Sequence, residues 1–172
     1  RSKKLHIQTD VPRAVIIVEP GSDRDNSVLD LVRGHLGGSS KDFITAVEES
    51  NVIVVKELSE GDSQKELDKA AKSLRSFLQK EGIRDIRIAY GTVVKELKEV
   101  SRSYKEAKMT NDVGKIFFGE WEIVAYSELG IGRLIYQLPI PLCKMFIREI
   151  FGGKSPDDFD EETLGTIHKF FE

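Results

Sequence analysis

The alternation of apolar and polar positions divides the chain into short elements. Residues 13–19 read RAVIIVE, an apolar, β-branched run that predicts a buried central strand ending at the turn pair Pro20-Gly21. Val28, Leu29, Leu31, Val32 and Leu36 then share one helical face, opened by Asn26 or Ser27 and closed near Gly37-Gly38. Residues 43–47 and 52–55 are β-rich, and the polar Glu48-Glu49-Ser50-Asn51 between them gives a hairpin signature. Ser63 and Glu66 fit a capping box in front of a long helix whose face is Leu67, Ala70, Ala71, Leu74, Phe77 and Leu78, with Gly82 closing it. Ile86, Ile88 and Tyr90 alternate with Arg87 and Ala89 in a strand that ends at Gly91. A second long helix carries Leu97, Val100, Tyr104 and Ala107 and stops near Gly114. Residues 116–126, aromatic and β-branched, read as a last strand.

A hairpin placed between two crossover helices predicts an α+β fold, a ferredoxin-like sandwich of sheet and helices. The antiparallel hairpin argues against a doubly wound sheet. After Tyr126 the pattern turns helical over residues 129–138, 142–151 and 160–171. Pro139 and Pro141 separate the first two segments, and Gly152-Gly153-Lys154-Ser155-Pro156 the last two. The expected organisation is an α+β domain over residues 1–127 and a helical extension over 128–172.

Composition narrows the function classes. A chain of 172 residues with 40% hydrophobic and 32% charged content can bury a core without disulfides or metals. A net charge of −3 excludes a globally basic nucleic-acid binder. The single cysteine, Cys143, together with the absence of a signal-peptide pattern or a long apolar run, predicts a cytoplasmic protein with no membrane contact. The start at Arg1 and the aromatic end Phe170-Phe171-Glu172 suggest a piece of a longer chain.

Most motif-like features have bland explanations. Gly153-Lys154-Ser155 looks like the end of a phosphate-binding loop, but Arg148 stands where its first glycine belongs and a helix precedes it. Gly130-Ile131-Gly132 lacks the third glycine of a dinucleotide fingerprint, since that position is Ile135. His6, His35 and His168 have no ligand-spaced partners, and Cys143 has no identifiable base, so neither metal nor cofactor is expected. Lys95, Lys98, Arg102, Lys105 and Lys108, interleaved with Glu96, Glu99 and Glu106, read as a solvated helix face laced with ion pairs. Glu19 and Glu49 can lie side by side in the sandwich and so could hold a cation, although isolated surface carboxylates are the favoured reading.

The order of elements resembles the GGDEF fold of nucleotidyl cyclases. Ile88-Ala89-Tyr90-Gly91, followed by Leu97 and Ser103-Tyr104-Lys105-Glu106-Ala107, is similar to the strand-loop-helix signature of the CdaR/PucR class of bacterial transcription regulators. Phe159-Asp160-Glu161-Glu162-Thr163-Leu164, with Phe170-Phe171-Glu172, is similar to the first helix of that class's C-terminal DNA-binding module. The resemblance implies a GGDEF-like middle domain flanked by two further parts. One is an N-terminal domain that recognises an effector, a sugar diacid in the CdaR branch. The other is a C-terminal helix-turn-helix that binds DNA. It implies a homodimer that relays an effector signal. It also implies that the matching cyclase positions here, Glu19, Glu49, Ser50 and Asn51, are degenerate. The hairpin tip of a cyclase reads Gly-Gly-Asp/Glu-Glu-Phe, whereas Glu48-Glu49-Ser50-Asn51-Val52 has neither glycine. The expectation is therefore a domain that is not an enzyme. The alternatives are a degenerate cleft that binds a nucleotide or small effector and, last, an active cyclase.

Overall fold

The computed structural model describes residues 8–139 apart from 22–26, 38–40, 48–50, 84 and 118–122, and beyond them residues 141, 142, 145 and 149. The elements run β1 (Arg13–Pro20), α1 (Ser27–Leu36), β2 (Phe43–Val47), β3 (Asn51–Glu57), α2 (Ser63–Lys80), β4 (Ile86–Tyr90), α3 (Val100–Phe117), β5 (Ile123–Ala125) and α4 (Gly132–Gln137). A short 3-10 turn, Leu97–Glu99, leads into α3. The five strands form one mixed sheet in the order β2-β3-β1-β4-β5. Only β4 and β5 pair in parallel; β1 is antiparallel to both of its neighbours. The expected α+β sandwich is therefore the observed one.

Strand β1 lies at the centre because both of its faces are apolar and both are covered. Ala14, Ile16 and Val18 pack with Val32, Leu67, Leu74 and Leu78 beneath α1 and α2. Val15 and Ile17 pack with Ile53 and Ala107 beneath α3. Each buried Val or Ile contributes roughly 1.5–3 kcal/mol, so a one-residue slip in register would exchange two filled faces at once. Residue contacts divide the chain into two compact units, 1–133 and 134–172. In the second unit Leu134, Leu138, Leu142 and Met145 are exposed.

Three local expectations are corrected. Helix α3 does not stop near Gly114 but runs on to Phe117. Gly114 lies inside the helix beside Arg87, where a Cβ would make ordinary contact with Arg87 Cδ at 3.6 Å. The last strand is only Ile123–Ala125, because α3 takes the start of the expected run; residues 118–122 of that run lie outside the described residues. The capping box at α2 is not formed. The N-cap is Asp62 and makes no side-chain cap bond. Ser63 Oγ instead donates to Ser59 O, and Glu66 Oε2 accepts the Ser59 N–H at 2.8 Å, which closes the preceding loop.

The signature around Gly91 proves to be a fastening between sheet and helix. Ser103 on α3 is fully buried. Its Oγ accepts the Val15 N–H at 3.0 Å and donates to Thr92 O at 2.8 Å. Glu106 Oε2 accepts from Thr92 N at 2.8 Å and Thr92 Oγ1 at 2.5 Å. The approach is so close that a Cβ on Gly91 would collide with the Ser103 carbonyl oxygen. On the opposite face Tyr90 Oη donates to Asp68 on α2 at 2.8 Å. Burial first, then the bond to and charge of Asp68, push the Tyr90 phenol far above its usual pKa.

Two expected outcomes follow. In urea denaturation Gly91→Ala loses about 1–3 kcal/mol by overpacking and Ser103→Ala about as much by orphaning the Val15 N–H. The neutral phenol of Tyr90 is the favoured form in the fold. Its stabilisation is complete below about pH 10 and declines as pH rises from there toward the higher folded pKa. Stability measured against pH should therefore fall less steeply above pH 10 in Tyr90→Phe than in the parent chain.

Candidate functional site

A largely buried polar cluster sits where β1 ends beneath the second half of α3. Glu19 follows Ile17 by two residues, so it points to the same face, toward α3. Directly across the strand pair stands Arg87 of β4, whose Cα is in register with Glu19. From α3, Asn111 and Lys115 reach down one helical turn apart. Asn111 Nδ2 donates to Glu19 Oε2 at 2.9 Å. Lys115 Nζ lies 2.6 Å from Glu19 Oε1, and Arg87 Nη1 lies 4.0 Å from Oε2. The Glu19 and Arg87 side chains are 15% and 5% exposed, whereas Lys115 is 45% exposed. Both oxygens of the carboxylate therefore face protein cations or an amide donor.

Gly114 borders this arrangement. It lies between Asn111 and Lys115, where the Arg87 side chain passes against the helix. Beside the cluster a cavity of about 60 Å³ opens between β1, β3 and α3, with Ile17, Asn51, Ile53, Tyr104 and Asn111 on its walls. The Oδ1 atoms of Asn51 and Asn111 are buried and have no hydrogen-bond partner.

Of the positions singled out from the sequence, Glu19 and Asn51 stand at this end of the sheet, next to the β2–β3 hairpin. Glu49 and Ser50 lie outside the described residues. Glu19 is not the isolated surface carboxylate that its sequence context favoured; it is largely buried and held from three sides. Arg87, Asn111 and Lys115 were missed. Their signal was present as a polar residue in a strand buried at all five positions and a polar pair four apart on a helix. Those spacings acquire meaning only when α3 is known to cover the second face of the sheet.

The other candidates resolve simply. Gly130, at φ +50°, makes a turn into α4. His35 stacks on Phe77 at 4.3 Å and meets Ser73 Oγ at 3.2 Å. On the basic stripe, Lys98 pairs with Glu96 at 2.7 Å and Arg102 with Glu99 at 3.4 Å. The bond to Glu96 raises the Lys98 pKa. Glu106 is the exception among the interleaved acids, since it turns inward to Thr92. Cys143, His6, His168 and Gly153-Lys154-Ser155 lie outside the described residues.

Comparison with known families gives one result. The family model described as a GGDEF-like domain matches residues 1–113, a span that includes Glu19, Arg87 and Asn111 but ends before Lys115. No curated protein matches the chain.

The geometry ranks the cluster's members. Glu19→Gln removes the buried negative charge that Lys115 and Arg87 face and should cost about 2–4 kcal/mol. Lys115→Met removes a half-exposed partner and should cost no more than about 1 kcal/mol. Chemical denaturation of the two variants beside the parent chain tests that order.

Proposed function

The chain belongs to the GGDEF-like domain family, and from that premise we propose that it is a non-catalytic regulatory domain. Nucleotidyl cyclisation is phosphoryl transfer, and it needs divalent metal held by free carboxylates close to the nucleotide's phosphates. The observation that carries the proposal is the state of Glu19, the acid at the end of β1. Lys115 and Arg87 supply positive charge where a metal would, and Asn111 takes a further lone pair. This donor set does not fit a divalent ion, because an incoming cation would have to displace an ammonium and an amide and approach a guanidinium. The hairpin segment Glu48-Glu49-Ser50-Asn51 adds a second obstacle, since it lacks the glycines that let a nucleotide approach the backbone.

The finer reading is a middle domain of a CdaR/PucR-type transcription regulator of carbohydrate diacid use. Its support is the Ile88-Ala89-Tyr90-Gly91 and Ser103-Tyr104-Lys105-Glu106-Ala107 signature. In that reading the domain pairs with a second copy and passes an effector signal to a helix-turn-helix DNA-binding module. Effector recognition by a separate domain leaves this fold a mechanical task. The rigid join of α3 to β1 and β4 through Ser103 and Glu106 suits that task.

Incubating the purified chain with GTP and magnesium or manganese is the direct test. No cyclic or linear dinucleotide should form above the enzyme-free control, and turnover that is abolished by Glu19→Gln would overturn the proposal.

A further inference from the structure

The basic row that stands out in the sequence is paired with its own acids, and a second row is left open on the other face of the sheet. Lys98 and Arg102 meet Glu96 and Glu99. Helix α2 is arranged the opposite way. Lys65, Lys69, Lys72, Ser76 and Lys80 recur every three or four residues, so they share one side of the helix, and all five are exposed. Ser73 and Gln79 are exposed beside them. The two acids of α2 are committed to other partners. Glu66 accepts the Ser59 N–H, and Asp68 accepts from Tyr90 Oη and Gln64 Nε2. Lys65 meets Asp62 at 2.8 Å, an exposed pair that solvent screens. Among the described residues no carboxylate pairs with Lys69, Lys72 or Lys80.

Like charges at this spacing repel along a helix, so the row weakens α2 unless a counter-charge covers it. At 1.5 Å per residue it is about 22 Å long, and a nucleic-acid duplex presents phosphate charge continuously over such a length. Ser73, Ser76 and Gln79 are residue types that join lysine in hydrogen bonds to phosphate oxygens. A lipid surface fits less well. An interfacial helix inserts its apolar side, and the apolar side of α2, with Leu67, Ala71, Leu74 and Leu78, is buried against the sheet. A single strand also fits less well. Its bases stack on exposed aromatic rings, and the one ring of α2, Phe77, is already stacked on His35.

We propose that the lysine face of α2 docks on the phosphate backbone of duplex DNA without reading its sequence. The contact belongs to this domain itself, distinct from the helix-turn-helix of the finer reading, and it stands or falls separately from the cyclase assay. Lys69, Lys72 and Lys80 supply the charge, and the interleaved hydroxyls and amide supply neutral donors.

The test is fluorescence anisotropy of a labelled duplex of about 20 base pairs titrated with the whole chain at several salt concentrations. Binding should be saturable at low salt, with log K falling against log salt at a slope of about −3, the value for three neutralised phosphates. Changing Lys69→Gln, Lys72→Gln and Lys80→Gln together should weaken binding about tenfold or more and flatten the slope. Glutamine matches lysine in helix propensity, so this variant should keep the parent's circular dichroism and melting. Lys98→Gln with Arg102→Gln, on the paired row, should bind like the parent. The proposal is overturned by binding without salt dependence, by no binding, by a triple variant that binds like the parent, or by an equal loss in the paired-row variant. Tighter binding of the single strand, of polyglutamate or of phosphatidylserine vesicles overturns it as well.

Discussion

A carboxylate placed at the end of a fully covered strand must be neutralised by whatever packs over it. That constraint organises one end of this molecule. β1 is apolar on both faces and takes helices on both, so Glu19 on the α3 face has little access to water. Removing a charge from water costs several kcal/mol unless opposite charge and hydrogen bonds replace the hydration. Arg87 from the neighbouring strand and Asn111 and Lys115 from the helix provide that replacement. Helix α3 continues through Gly114 and so carries Lys115 to this end of the sheet.

The other end of α3 is fixed by a neutral device. Ser103 joins a strand amide to a loop carbonyl, and Glu106 gathers two donors from Thr92. The helix is thus pinned to β1 at both ends, by hydroxyl and backbone near its start and by an ion cluster near its finish. In this GGDEF-like domain the β1 acid is thus engaged by protein groups. Asn111 serves the cluster with its nitrogen, while its oxygen is buried without a hydrogen-bond partner.

Much of the fold was legible from the sequence because its elements obey simple periods. The RAVIIVE run, the alternation at Ile86–Tyr90 and the face of α2 each correspond to an observed element. The errors share a physical cause. Gly114 predicts a helix stop because glycine is a poor helix former, but in its tertiary context α3 runs through it to Phe117. Arg87 was read as the polar half of an alternating strand, which holds only for a sheet with one wet face; here α3 covers it. The candidate site was half visible. Glu19 and Asn51 are recognisable from their places in the chain, whereas their partners come from elements 68 or more residues away from Glu19, as with Arg87 and Asn111. Which lone pair is used and which is left over depends on side-chain geometry that no spacing encodes.

The central claim is that Glu19 is satisfied by protein groups and not by metal. Manganese-induced line broadening in the amide spectrum tests it most directly, because a bound paramagnetic ion erases signals within its neighbourhood. The account predicts no selective loss at Val18, Glu19 and Asn111 in the parent chain at manganese concentrations that leave the remaining spectrum intact. Selective loss of those signals, reversed by chelation, would contradict it.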